Sequence, residues 1–130
     1  MFAKKKTPPI KSLIAHGSQI TGNLRFCDGL RIDGEVAGEI RATDGQPSLL
    51  VVSETAHVIG PVEADHVIVN GSVHGPIHAR VLLELQPKAR IEGDIAYRTL
   101  EMHQGAVVTG QLRPLAGEEK PTLKLAANNG

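Results

Sequence analysis

The chain has 130 residues with 14 basic and 14 acidic side chains, so its net charge is zero, and only 2% of its residues are aromatic. A neutral chain has no overall attraction for a polyanion, and few rings means no stacking surface for single-stranded bases, so no nucleic-acid partner is expected. One cysteine excludes an internal disulfide, and no apolar run approaches the roughly 20 residues of a membrane-spanning helix.

Residues 1–12 are predicted to form a disordered N-terminal tail with a possible membrane anchor. Phe2 precedes Lys4, Lys5 and Lys6, and no apolar stretch follows them as it would in a secretory signal. Phe2 could enter the headgroup boundary, while each lysine adds about 1 kcal/mol of attraction to anionic lipid. A plain solvated tail and a docking segment for a protein are the alternatives.

Residues 13–113 carry an internal repeat of the form small-x-[Ile/Val]-x-Gly-x-apolar. A clear copy is Ala56–Val62 ("AHVIGPV"), and the pattern returns at Ala89–Ile95 and Ala106–Leu112. The longest interval between copies contains Thr43–Ser48 ("TDGQPS"), which has turn chemistry and is predicted to be an inserted loop. One glycine marks each of six copies, in steps of 16, 22, 15, 18 and 17 residues: Gly22, Gly38, Gly60, Gly75, Gly93 and Gly110.

A longer segment, Leu30–Ile40, returns as Val67–Ile77 after 37 residues, which is two such units. Apolar residues alternate with the period of a strand, and a unit of this size holds about three short strands that cannot bury their apolar side alone. Stacked units predict an all-β, single-domain parallel β-helix (β-solenoid) of about six turns, with a β-sandwich as the alternative.

The repeat also predicts which residues line the axis of the coil. The marker glycines are expected at corners where the chain bends and a Cβ would not fit. The residues predicted to point inward are Ile32, Val36, Ile40, Val58, Val62, Val69, Val73, Ile77, Ile91, Ile95, Val108 and Leu112.

The sequence predicts no cofactor and no catalytic or metal site. It has no Walker-type glycine loop, so polymerisation driven by a nucleotide is not expected. His74 and His78 have the parity opposite to the inward residues, so they should face solvent, too far apart along a strand to share a metal. Cys27 lies beside a turn signal and is expected to pack.

Both ends of the predicted coil are open strand edges. Prolines near each end disfavour a capping helix, and uncapped ends can pair with another subunit to give a filament. The residues predicted at this polymerisation interface are Ile20, Leu24, Phe26, Leu100, Met102, Val108 and Leu112. Residues 114–130 are predicted to be a disordered C-terminal tail, in which Pro121–Ala126 is an alternative docking peptide.

Residues 17–40 ("GSQITGNLRFCDGLRIDGEVAGEI") and 89–112 ("ARIEGDIAYRTLEMHQGAVVTGQL") resemble the opening and the close of the bactofilin domain. The resemblance spans about residues 12–113. It implies a right-handed β-helix and a bacterial cytoskeletal scaffold that forms non-polar filaments without nucleotide. It also implies a cytoplasmic protein, peripheral on the inner face of the cell membrane, that localises cell-wall or morphogenesis factors.

Two other functions stay open at this point. Hexapeptide β-solenoids include transferases, although the motif here does not recur every six residues. A monomeric solenoid that binds partners along a flat face is the second alternative.

Overall fold

A computed structural model of the chain describes residues 7–115 and 122–125, and all the regular elements among these residues are β-strands. The bounds are β1 Ile10–Ile14, β2 Gln19–Thr21, β3 Leu24–Phe26, β4 Asp28–Ile32, β5 Glu35–Ala37, β6 Ile40–Ala42, β7 Ser48–Val52 and β8 His57–Ile59. They continue as β9 Val62–Val69, β10 Ser72–His74, β11 Ile77–Leu85, β12 Arg90–Glu92, β13 Ile95–Met102, β14 Val107–Thr109, β15 Leu112–Pro114 and β16 Thr122–Leu125.

These strands stack in parallel as the three faces of one coil. The first face consists of β2, β5, β8, β10, β12 and β14. The second face consists of β3, β6, the first parts of β9, β11 and β13, and β15. The third face consists of β1, β4, β7, the last parts of β9, β11 and β13, and β16. The six strands of the first face confirm the prediction of a parallel β-solenoid of about six turns.

Two details differ from the prediction. Three short strands per turn occur only in the first two turns, because from β9 onwards one strand of eight or nine residues runs across the second and third faces. Strands also extend into both predicted tails. Strand β1 begins at Ile10, within the predicted tail 1–12, and Pro114 and Thr122–Leu125 lie in strands within the predicted tail 114–130.

The axis of the coil is filled by the alternating residues of the repeat. Ten of the twelve residues predicted to point inward are buried, with at most 1% of their surface exposed. They stack turn on turn, as Val73 does on Val58, and burying each such side chain contributes about 1.5–3 kcal/mol. The other two belong to the last turn and are less covered. Val108 is half-buried, and Leu112 is 43% exposed.

The six marker glycines form the corner between the first and second faces. Each has a positive φ, between 129° and 148°. At Gly75, a Cβ would lie 2.5 Å from the carbonyl oxygen of Gly60, which is one turn earlier. The prediction that a Cβ would not fit is therefore confirmed from the second turn onwards, where the same approach recurs at every marker glycine.

Differences in the corners, one bulge and one loop account for four of the five glycine steps. The shortest step, 15 residues, has a two-residue corner between the third and first faces, Asn70–Gly71. Steps with a four-residue corner, such as Gln86–Ala89, are two residues longer, and a bulge between Ala79 and Leu82 adds one more. The predicted loop is present at residues 43–47 and adds five.

The similarity of Leu30–Ile40 to Val67–Ile77, 37 residues later, reflects this alternation of long and short corners. Asp33–Gly34 and Asn70–Gly71 are both short corners, and each follows a turn with a long corner. A Cβ at Gly71 would lie 2.2 Å from the carbonyl oxygen of Ser53, and one at Gly34 would lie 2.5 Å from that of Ser18. The short corner lies against the long corner before it, so it needs glycine for space.

Replacing a marker glycine should destabilise the coil by steric clash as well as backbone strain. Gly75→Ala is expected to lower the free energy of unfolding by roughly 3 kcal/mol or more, because the new methyl group would push two turns apart. The control is Gly45→Ala. Gly45 also has a positive φ, of 89°, but nothing lies within 4 Å of its added Cβ, so only strain remains. Thermal unfolding followed by circular dichroism makes the comparison, and equal losses in the two variants would contradict the clash.

Candidate functional site

The two ends of the coil expose strand edges. Among the described residues, β2 and β3 at the first end each have a neighbour on one side only, and at the last end so do β14 and β15. Their unpaired amide and carbonyl groups can pair with another chain. The third face differs, because β1 extends it beyond β4, and β16 extends it beyond β13. Segments outside the repeat therefore form the ends of this face.

At the first end, two of the predicted interface residues are available. Ile20 and Leu24 are half-buried, and they pack on the core from the outermost strands of the first and second faces. Phe26 is 8% exposed and belongs to the core cluster. Its ring packs inside the coil, and its place in the interface stays a prediction.

At the last end, Val108, Leu112 and Met102 retain exposed surface. Leu112 is the most exposed of them at 43%, since within the described part of the chain its strand, β15, pairs with β13 on one side only. Leu100 is fully buried in the single coil, because β16 pairs with β13 across this position and adds a further strand to the third face. Its place in the interface stays a prediction.

The predicted membrane-targeting residues, Phe2, Lys4, Lys5 and Lys6, lie outside the described residues. The described chain begins at Thr7, three residues before β1. No helix in the described part of the chain is long and apolar enough to cross a membrane.

Other side chains considered in the sequence have mixed outcomes. His74 is exposed and lies 3.4 Å from a carboxylate oxygen of Glu92, whereas His78 is half-buried. Among residues 7–115 and 122–125, no three histidine, cysteine or acidic side chains are grouped to hold a metal ion. Cys27 is exposed, so the expectation that it packs is wrong. It precedes Asp28, whose φ of 64° interrupts the regular strand alternation.

Residues 12–113 match the family model described as bactofilin, polymer-forming cytoskeletal. The chain belongs to the bactofilin family. The matched range runs from β1 to β15, which confirms the resemblance seen in the two end stretches. No curated protein sequence and no solved structure matches the chain significantly.

In this bactofilin, a charge network joins three turns at the corner between the second and third faces. The Nε atom of Arg80 donates to Asp65 at 2.7 Å, and its Nη1 atom lies 3.0 Å from Glu63 and 3.4 Å from Asp44 in the inserted loop. Burial opposes the charge on the guanidinium, but the bond to Asp65 and the charges of the three carboxylates raise the pKa of Arg80. Sequence reasoning missed this network because the bulge and the loop bring the partners together.

A second polar contact ties the first turn to the next at the corner between the third and first faces. Asp33 accepts hydrogen bonds from the Ser53 hydroxyl at 2.5 Å and from the Arg31 Nε atom at 2.9 Å. The bond from Ser53, followed by that from Arg31, lowers the pKa of Asp33 against the opposing effect of burial. The hydroxyl of Thr55 also donates to the Asp33 carbonyl oxygen at 2.7 Å, so this corner is held through both backbone and side chain.

The lowered pKa of Asp33 predicts an acid-dependent contribution to stability. A depressed folded-state pKa stabilises the fold above the unfolded value of about 3.9, and this contribution is lost as the pH falls through the folded value. Asp33→Asn should therefore be less stable than the parent chain at neutral pH, and the difference should vanish on acidification. Urea unfolding between neutral pH and about pH 2 measures it. Ser53→Ala should lose part of the same difference, and a pH-independent gap for Asp33→Asn would contradict the assignment.

Proposed function

We propose that this bactofilin assembles end to end into nucleotide-independent filaments that form a scaffold on the cytoplasmic face of the cell membrane. The observation that carries the proposal is the state of the two ends. Each end has open strand edges on its first and second faces, and apolar side chains of core parity lie on those edges. An added coil can supply both missing partners at once.

The contact at each end can use the same interactions that stack the turns. Ile20 and Leu24 at the first end, and Val108 and Leu112 at the last, occupy the positions that a further turn covers elsewhere in the coil. Backbone pairing along β14 and β15 would satisfy the edge, and covering the apolar side chains would stabilise the junction. Because the end surfaces are small, each junction is expected to be reversible.

The N-terminal head is proposed to hold the filament on anionic lipid. Phe2 and the three lysines that follow form a short apolar and basic segment. Each lysine contributes about 1 kcal/mol near an anionic surface, so one head binds weakly. A filament presents many heads, and their combined avidity makes the attachment durable. Such a filament would be a peripheral scaffold on which cell-wall or morphogenesis factors can be localised.

A charge at the last end should block assembly without unfolding the coil. Leu112→Arg is expected to abolish sedimentable filaments, because the guanidinium would be buried without a partner at the junction. The control is Val107→Arg in the same turn. Val107 is 47% exposed, close to the 43% of Leu112, but it points away from the axis. Sedimentation and electron microscopy in the absence of nucleotide, with circular dichroism to check the fold, make the comparison.

The products of the blocked variant also distinguish how subunits join. If first ends meet first ends and last ends meet last ends, Leu112→Arg should leave discrete dimers. If subunits join head to tail, it should leave monomers. Normal filaments from Leu112→Arg would move the interface away from the ends of the coil.

Removing residues 2–6 should abolish co-sedimentation with anionic liposomes and leave filament formation intact. The three lysines in this segment supply an attraction that salt screens, so binding of the complete chain should weaken as ionic strength rises. Removal of residues 126–130, which is the same number of residues from the other terminus, is the control and should leave liposome binding unchanged. Full binding by the chain lacking residues 2–6 would exclude the head as the anchor.

A further inference from the structure

The third face carries an apolar patch on the outside of the coil. The patch consists of Leu49, Val51, His66, Ile68 and Leu82, which lie side by side on β7, β9 and β11 with the parity opposite to the axis. Leu49 and His66 are each only 7% exposed, yet Leu49 is not part of the axial core cluster. Leu49 is therefore already shielded by its neighbours, and the half-buried Val51, Ile68 and Leu82 supply the accessible surface of the patch.

The equivalent positions on the first face are different. From β2 to β12, one column of outward residues on this face is entirely polar or charged. It consists of Gln19, Glu35, His57, Ser72 and Arg90. In the neighbouring outward column, Ile59 on β8 is an exposed isoleucine. The apolar patch is therefore a property of the third face and not of outward positions in general.

The described chain begins beside this patch. Gly29 pairs with Leu49 and occupies the same outward column, one turn earlier. A Cβ at Gly29 would lie 2.4 Å from the Pro9 carbonyl oxygen and 2.8 Å from the Ile10 Cα atom. The backbone of Pro9 therefore crosses the outer side of Gly29, and Pro8 before it is half-buried. The chain therefore passes over the outside of the third face next to Gly29, the first residue of the outward column that contains Leu49 and His66.

The length and the charge of the head suit the patch. Six residues precede Thr7, and at about 3.3 Å each they can extend roughly 20 Å. Turns are about 4.8 Å apart, so Leu82 lies roughly 14 Å from Gly29 along the coil. The head carries three lysines, and the outward column of Val51 and Ile68 continues in Glu84 on β11.

We propose that residues 1–6 dock along the outside of the third face, with Phe2 on the patch around Val51 and Ile68. The docked head hides the group that membrane attachment uses, so docking and lipid binding compete for Phe2. This regulation rests on the proposed membrane anchor. If about nine heads in ten are docked, the apparent membrane affinity falls about tenfold, and losing the dock restores it.

The test uses a tryptophan at position 2 as a reporter. The chain contains no other Trp, so in Phe2→Trp the emission reports on the head alone. Without lipid, the emission of the full-length chain should lie at shorter wavelength than its emission in denaturant. This difference should exceed the shift that denaturant alone causes in a free tryptophan standard. Adding Ile68→Asp should move the emission to that of the standard in buffer and tighten binding to anionic vesicles about tenfold. Ile59→Asp, the same change on the first face, should alter neither.

Each further outcome decides between docking and anchoring. Val51→Ser is a milder second variant that should release the head in part if Ile68→Asp does not fold. Shorter-wavelength emission that responds to Ile68 without any vesicle binding supports docking and removes the membrane anchor. Vesicle binding with fully solvated emission in every variant overturns docking and leaves the anchor. A shift that grows with protein concentration would place the head on a neighbouring coil, which also overturns the proposal.

Discussion

Each turn of the coil can stack on the next only because the glycine corner brings two backbones into close contact. At Gly75 the space for a side chain is already occupied by the carbonyl group of Gly60. The corner in turn fixes the register of the strands on either side. Val73 and Ile77 meet their partners because the bend between them has the same shape in every turn. A narrow aliphatic core follows, since strands at this spacing leave room for branched side chains and little room for rings.

The same repetition leaves the coil without a natural end. A strand in the middle of a face has a neighbour above and below, whereas β2 and β14 have only one each. Unpaired backbone groups and apolar side chains of axial parity are therefore exposed on the same strands. One contact can pair the first and bury the second. Terminal strands β1 and β16 each add a strand to the third face, and among the described residues each of them pairs on one side only, so this face also ends in an open edge. The proposed assembly thus depends on the same stacking interactions that build the coil.

The parts of the fold that could be predicted from the sequence are those set by local repetition. The glycine spacing was sufficient to place Val73 at the axis, since the bend and the alternation lie within one unit. The position of β16 could not be predicted, because its segment lies outside the glycine-marked repeat and carries no repeat signal that sets its pairing with β13. The burial of Leu100 depends on that pairing and was missed with it. The Arg80 network was missed because a bulge, not a motif, directs its side chain to Asp65.

The inserted loop at residues 43–47 shows that register is restored independently on each side of a corner. Ile40 pairs with Val62 and Leu49 pairs with His66, although nine residue steps separate the first members of these pairs and only four separate the second. The extra residues leave the plane of the strands and return without disturbing either face. Closing a longer loop costs little more free energy, because the cost grows only with the logarithm of its length. This corner is accordingly a site where the chain can gain a peptide tag or a small reporter while the strands around it keep their partners.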